Sequence, residues 1–399
     1  MKALRFDRKI LRYAAAHVAG SVAPGRGATY GPLRLADVDP LELPGPGWVR
    51  IRPRLAGICG SDLATIDGTS SRYFEPIVSF PFVPGHEVVA DAPSTGPDGD
   101  RRVVLEPVLG CVTRGIDPPC PSCARGDLGN CERLAFGHLE PGLQSGYCAD
   151  TGGGWSTFMV AHESQLHDVP DDLDDDAAVM IEPTACAVHG ARRAGIVDGD
   201  VVVVLGAGTL GLLSVAALRN LTGAGTIVAA AKHPEQRRLA AELGADVVCE
   251  PDELARLVRR LSGSMAYGAQ LTGGADAVLD CVGSDLSIQQ SLAVVKPRGR
   301  VTLVGMPAVV KLNLTTLWHR ETEIAGAYAY GTETLVDGTR RRTFDLAFDL
   351  VREAKLGRLV SATYPLADFK AAIEHAATAG RRGAVKVAFD LRAEKERNR

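Results

Sequence analysis

Four cysteines, Cys111, Cys120, Cys123 and Cys131, crowd one stretch of the chain, CVTRGIDPPCPSCARGDLGNC. A loop this rich in glycine and proline carries few apolar side chains of its own. Thiols that stay reduced and cluster in this way serve more often as metal ligands than as disulfides. A second run does different chemistry. In VVVVLGAGTLG, Gly206, Gly208 and Gly211 follow an apolar strand and open a helix. The first glycine makes the turn, the second lets backbone approach a pyrophosphate, and the third lets helix and strand pack closely. The helix amino terminus then offers unpaired N–H groups to the phosphates. Thr209 and Leu210 lie inside this turn and count as candidate cofactor contacts with it.

The following strand selects the dinucleotide. NAD binders usually end it with Asp or Glu, which accepts from the ribose 2′-hydroxyl. Here it ends IVAAAKHPEQRR, with Ala231 at the carboxylate position and Lys232, His233 and Arg237 after it. Losing the anion and gaining cations suits a 2′-phosphate, so NADP is favoured and NAD is the alternative.

The surrounding elements follow two textures. Up to about residue 180, short β-branched runs such as WVRIRPRLAGI, FVPGHEVVA and RRVVLEPV alternate with turns, and helical periodicity is scarce. From about 183, strands and helices alternate through GRVTLVG, which predicts a parallel, doubly wound sheet. Two helical segments and a closing strand, AVKVAFD, follow residue 330. The acidic run DDLDDDAA reads as a solvated turn into a helix. The chain has 399 residues, enough for two or three domains, with 46% hydrophobic and 23% charged residues, an ordinary globular balance. The net charge of −4 predicts neither a nucleic-acid nor a membrane partner, and no apolar run approaches the ~20 residues that span a bilayer. The start, MKALRFDRKILRYAAAHV, lacks the apolar core of a signal peptide, which with the clustered thiols predicts a cytoplasmic protein.

Further motifs bear on identity. AGICGSDLATI holds Cys59, Ser61 and Asp62; FVPGHEVVA holds His86 and Glu87; IEPTACAVHG holds Glu182. Together with the four-cysteine lobe, GAGTLG and the D-C-V-G strand, in this order, they resemble the zinc-dependent medium-chain alcohol and polyol dehydrogenases. That resemblance implies a mixed α/β fold. A GroES-like β-rich catalytic domain (residues 1–183, with a structural-zinc lobe at 108–135) precedes a Rossmann domain (184–328), and residues 329–399 return to the first. It implies a catalytic zinc on Cys59 and His86, with Glu182 or Glu87 as the exchangeable third ligand in an open site. It also implies a structural zinc on the four lobe cysteines, Cys111 replacing a first slot that here holds Asp117.

The same resemblance gives Asp62 the task of fixing the zinc-binding imidazole, and makes Ser61 the hydroxyl that accepts the alcohol's proton. Ala64 stands where many relatives carry a relay histidine; Asp67, a ribose hydroxyl or ordered water could take its place. Trp155 falls where relatives set an aromatic against substrate, and Lys386 where a basic residue meets the pyrophosphate. Cys281, Val282 and Gly305 complete the expected cofactor site. Cys148, Cys186, Cys249 and Cys281 are isolated, which suits packing, and His189 reads as structural. The implied reaction is reversible oxidation of a secondary alcohol or polyol-type hydroxyl, with hydride passing to the nicotinamide, in a homodimer or homotetramer. The alternatives are a zinc-free enone or quinone reductase of the same fold, or a dinucleotide-binding protein without turnover.

Overall fold

The computed structural model describes residues 1–94, 99–335 and 337–393. Two compact units divide the chain: Met1–Glu182 with Lys355–Arg399, and Pro183–Ala354.

The first unit is built on a seven-stranded sheet. Val360–Tyr364, Lys386–Asp390, Trp48–Gly57, Val88–Ala92, Arg101–Leu105 and Leu166–Asp168 lie side by side, and Met159–His162 pairs with Trp48–Gly57 off this path. The long strand WVRIRPRLAG alternates buried and partly exposed side chains at first and is buried throughout its end, where it enters the core. Near the carboxyl end, Lys386–Asp390 joins it antiparallel, with Ala388 opposite Gly57 and Phe389 opposite Ala56. The core beside that junction gathers Leu4, Phe82, Trp155, Ile373 and Phe389.

Two local features differ from the sequence reading. A helix at Ile10–Val22 interrupts the β-rich region. Its alanines favour a helix, but only Ala16 is buried, so no apolar stripe announces it. The acidic run is not merely solvated. Asp174 caps the short helix Asp175–Ala178, accepting from Ala177 N at 2.7 Å. Asp175 is buried and paired with Arg54, Arg102 and Arg392.

The second unit holds six parallel strands, in chain order Val201–Leu205, Thr226–Ala230, Val247–Cys249, Ala275–Asp280, Val295–Leu303 and Glu323–Gly326. Numbered along the chain, they stand in space as 3-2-1-4-5-6, the doubly wound dinucleotide-binding order. The strand VVVVL is buried along four of its five residues, as a central parallel strand covered on both faces requires. The expected return to the first unit at residue 329 is corrected to Lys355. Residues 329–354 stay with the second unit because Glu333, in the hairpin Thr332–Thr334/Arg340–Arg342, accepts from Thr343 Oγ1 at 2.9 Å and lies 2.7 Å from His189 Nδ1. Tyr330 and Phe344 also pack edge to face with ring centres 4.9 Å apart. No helix among the described residues is long and apolar enough to cross a membrane.

Candidate metal centres and cofactor turn

Strand Trp48–Gly57 runs into Cys59, which caps the helix Gly60–Ile66 in extended backbone conformation. Asp62, one turn into that helix, closes the cap by accepting from Cys59 N at 3.0 Å through Oδ2. Its other oxygen, Oδ1, lies 3.5 Å from His86 Nδ1. The carboxylate that closes the helix cap therefore also faces the imidazole, at ion-pair distance rather than in a hydrogen bond. With Nδ1 turned to Asp62, Nε2 is the nitrogen left for a metal. Burial disfavours a charged His86, but Asp62 and then Cys59 outweigh it and push its pKa well above the usual value. A cation at the ring would substitute for that proton.

His86 and Glu87 follow Gly85, whose φ of +98° makes the sharp turn glycine permits. Cys59, His86 and Glu87 each bring a ligand atom within 4.8 Å of the others. Thiolate, imidazole and carboxylate with a fourth position open form a donor set that fits catalytic zinc. Glu87 reaches this place because Gly57 has no side chain: a Cβ there would sit 1.9 Å from Glu87 Oε2. Glu182 is 4% exposed, in the first turn of the helix Ile181–Arg193, and is not one of the three clustered donors.

Lys386 is placed differently from the sequence expectation. Instead of being free to meet a pyrophosphate, its ammonium pairs with Glu87 Oε2 and is 2% exposed. Burial alone would lower its pKa, but Glu87, Cys59 and Glu182 raise it, so the ammonium is kept charged. Trp155 is also corrected. It is fully buried in the core rather than lining a pocket. Its Nε1 donates to Gly57 O at 3.1 Å, and its ring meets Phe389 edge to face at 5.0 Å. There it backs the His86 turn, since a Cβ on Gly85 would lie 2.4 Å from Trp155 Cδ1. Asp67 is committed elsewhere as well, accepting from Gly25 N at 2.8 Å and Gly27 N at 2.9 Å.

A residue that sequence reasoning missed is Tyr147. Its hydroxyl donates to Asp62 Oδ1 at 3.2 Å, and its ring centre lies 6.0 Å from that of His86. No motif marks it. The available signal was the glycines of its loop: Gly146, at φ +89°, lies against the backbone of Gly85, leaving 3.1 Å between an added Cβ and Gly85 O.

The cysteine lobe forms a second donor cluster. Sγ atoms of Cys111, Cys120, Cys123 and Cys131 all lie within 4.8 Å of one another, with Cys111 and Cys131 at 3.7 Å. Tetrahedral zinc with Zn–S bonds of about 2.3 Å requires sulfur–sulfur edges of about 3.8 Å, so the cage fits that ion. Cys120 N donates to Cys111 Sγ at 3.3 Å, and Glu132 N to Cys120 Sγ at 3.5 Å. Desolvation opposes the Cys120 thiolate, yet N–H groups of Cys123 and Glu132 bring its pKa down to about 6. Desolvation and the Cys111 sulfur push Cys131 up to about 11, against the Arg133 N–H and Cys123, so filling the cage must release protons.

In the second unit, Gly206 adopts φ +90°, and a Cβ on it would strike Val282 at 2.4 Å. Gly211 packs against the turn, with a Cβ falling 1.8 Å from Gly206 O. Gly208, the N-cap of helix Thr209–Leu221, would meet nothing within 4 Å. Protein packing leaves open space at that glycine, the room that close approach of a pyrophosphate would need, so the turn fits a dinucleotide. Thr209 and Leu210 open the helix. Cys281 and Val282 leave the neighbouring strand, where Asp280 Oδ1 accepts from Val282 N at 2.8 Å, and a Cβ on Gly305 would lie 2.7 Å from Val282 N. These residues share one rim at the carboxyl ends of three adjacent parallel strands. At the next strand end, Ala231 is buried, Lys232 exposed and His233 partly buried as N-cap of helix Pro234–Glu242. Arg237 donates to Ala231 O at 2.8 Å and pairs with Glu250 at 3.1 Å.

Comparison with known proteins follows this division. A family model described as "Alcohol dehydrogenase GroES-like domain" matches residues 45–171, and one described as "Zinc-binding dehydrogenase" matches residues 209–360. A sorbitol dehydrogenase of Halalkalibacterium halodurans is 28% identical, over 72% of this chain and 78% of its own. An L-idonate 5-dehydrogenase of Vitis vinifera is 27% identical, over 90% and 93%. The solved structure of an alcohol dehydrogenase from Thermus sp. ATN1 superposes with a TM-score of 0.72 at 25% identity, covering 98% of this chain and 100% of that one. With both matched domains together spanning well over half of its length, the chain belongs to the zinc-dependent medium-chain alcohol and polyol dehydrogenase family.

Proposed function

We propose that this protein is a zinc-dependent, NAD(P)-linked dehydrogenase interconverting a secondary alcohol or polyol-type hydroxyl with its carbonyl. One observation carries the reading: Cys59, His86 and Glu87 converge within 4.8 Å in a chain of this family. Bound zinc supplies Lewis acidity toward the substrate oxygen. The chain's own residues do the rest. Cys59 and His86, with Glu87 or Glu182, hold the metal, and Asp62 fixes the His86 tautomer through Nδ1. Ser61 takes the substrate proton. Gly206, Gly208, Thr209, Leu210 and Gly211 receive the pyrophosphate, with Cys281, Val282 and Gly305 beside them. The names of the sorbitol and L-idonate relatives support a polyol- or sugar-type substrate.

NADP is the preferred cofactor in this reading, because Ala231 replaces a carboxylate and Lys232, His233 and Arg237 surround the position. The four lobe cysteines hold a structural zinc. Nine free thiols suit a reducing compartment, the cytoplasm. Assembly as a homodimer or homotetramer is inferred from the family. The zinc-free reductase and the inactive binding protein are not favoured, since both matching family models describe alcohol or zinc-binding dehydrogenases.

The test combines metal analysis with a panel of sorbitol, xylitol, inositol and propan-2-ol, each offered with NAD and NADP. The expected result is about two zinc ions per subunit, activity lost on chelation, and faster turnover with NADP. Enone reduction indifferent to chelation overturns the dehydrogenase reading. A strong preference for NAD overturns the cofactor assignment alone.

A further inference from the structure

A proton taken from the substrate by Ser61 needs an exit, and the usual imidazole is missing at Ala64. Asp67 is held by two backbone N–H groups and does not supply the route. Another row of hydroxyls stands beside it. The Tyr147 hydroxyl lies 3.4 Å from Thr65 Oγ1, which lies 3.1 Å from Ser70 Oγ. Ser61 and Thr65 are one turn apart on helix Gly60–Ile66, and Thr65 Oγ1 is held on that side by donating to the Ser61 backbone carbonyl at 2.9 Å. Ser70 is brought back over this helix because Ala64 O accepts from both Thr69 N at 2.8 Å and Ser70 N at 3.2 Å. The row starts at buried Asp62 and Tyr147 and ends at partly exposed Thr65 and Ser70.

We propose that Tyr147 replaces the missing imidazole, passing the substrate's proton from Ser61 through Thr65 and Ser70 toward solvent. The inference rests on the dehydrogenase reading above. Each hydroxyl is both donor and acceptor, so one O–H bond forms on an oxygen as its other O–H breaks toward the next. No oxygen in the row keeps a charge, and nothing is oxidised or reduced along it. Thr65 and Ser61 are both side-chain partners of the Tyr147 hydroxyl, which continues the row back to Ser61. Phe82, 5.3 Å away between ring centres, holds the ring in place.

The competing role for Tyr147 is support of Asp62 and, through it, His86. Tyr147→Phe keeps the ring and removes the hydroxyl. Proton release into a pH indicator and hydride transfer are followed in single turnovers with NADP and sorbitol, xylitol or propan-2-ol; zinc content and melting temperature are measured in parallel. The expected result is proton release slowed at least about a hundredfold, the low side of what a positioned proton-transfer group contributes, with KM changed little and zinc unchanged. Thr65→Val should reproduce the loss. Ala64→His in the Tyr147→Phe background should restore the rate, because it returns an imidazole to the route. Unchanged proton release in Tyr147→Phe overturns the proposal. Zinc loss that Ala64→His does not repair overturns it too, and assigns the hydroxyl to holding Asp62. If the unmodified chain releases no proton with any of the three alcohols, the dehydrogenase reading falls and this route falls with it.

Discussion

Gly57 and Lys386 together set where Glu87 can be. The absent Cβ of Gly57 leaves room for Oε2, and the Lys386 ammonium meets that same oxygen. Gly57→Ala should expel the carboxylate, weakening catalytic zinc about 10–100-fold, as loss of supporting groups does. Zinc per subunit should fall from about two toward one, with the lobe still filled. Lys386→Met leaves Glu87 buried without its counter-charge and should destabilise the first unit by about 3–5 kcal/mol, measured by denaturant unfolding. The motifs made Cys59, His86 and Asp62 legible before any coordinates, because each lies in a short segment whose local turn fixes its direction. Trp155 and Lys386 were misassigned for the opposite reason. Where each side chain points depends on partners far along the chain, Gly57 and Glu87, which no local pattern encodes.

Among the elements, the Rossmann strands and glycine turn could be read because parallel strands are apolar on both faces and end in a fixed sequence of glycines. Helix Ile10–Val22 could not, since Ile10, Leu11, Val18 and Val22 are exposed and its pattern carries no buried stripe. The cysteine lobe lies between these cases. Its spacing advertised a metal, while the sulfur cage depends on how Cys111 is folded back onto Cys131. Such a lobe has little apolar core, Ile116 and Leu134 packing against its sulfurs among the described residues, so the ion should carry much of its stability. Cys123→Ser should lower zinc content by about one per subunit. It should also lower the melting temperature by roughly 4–8 °C, equivalent to about 2 kcal/mol in a unit of this size.

At the scale of the whole molecule, the metal donors and the glycine turn belong to separate compact units. Their ligands should therefore leave separate marks on unfolding. Calorimetry with NADP at a hundredfold excess over its Kd should raise the transition of Pro183–Ala354 by about 2.7 kcal/mol. Chelation should shift the transition of the first unit instead. A single transition moved equally by both reagents would contradict independent units.

The order of synthesis adds a constraint of its own. Strand Lys386–Asp390 is hydrogen-bonded to Trp48–Gly57, so the sheet made first keeps an open edge that a much later segment covers. A nascent chain emerging from the ribosome has all the residues of Pro183–Ala354 available before that edge is covered. Until Lys386 arrives, Glu87 has no ammonium against it. The pocket that grips the metal is thus completed only after the residues that receive the nucleotide have been made.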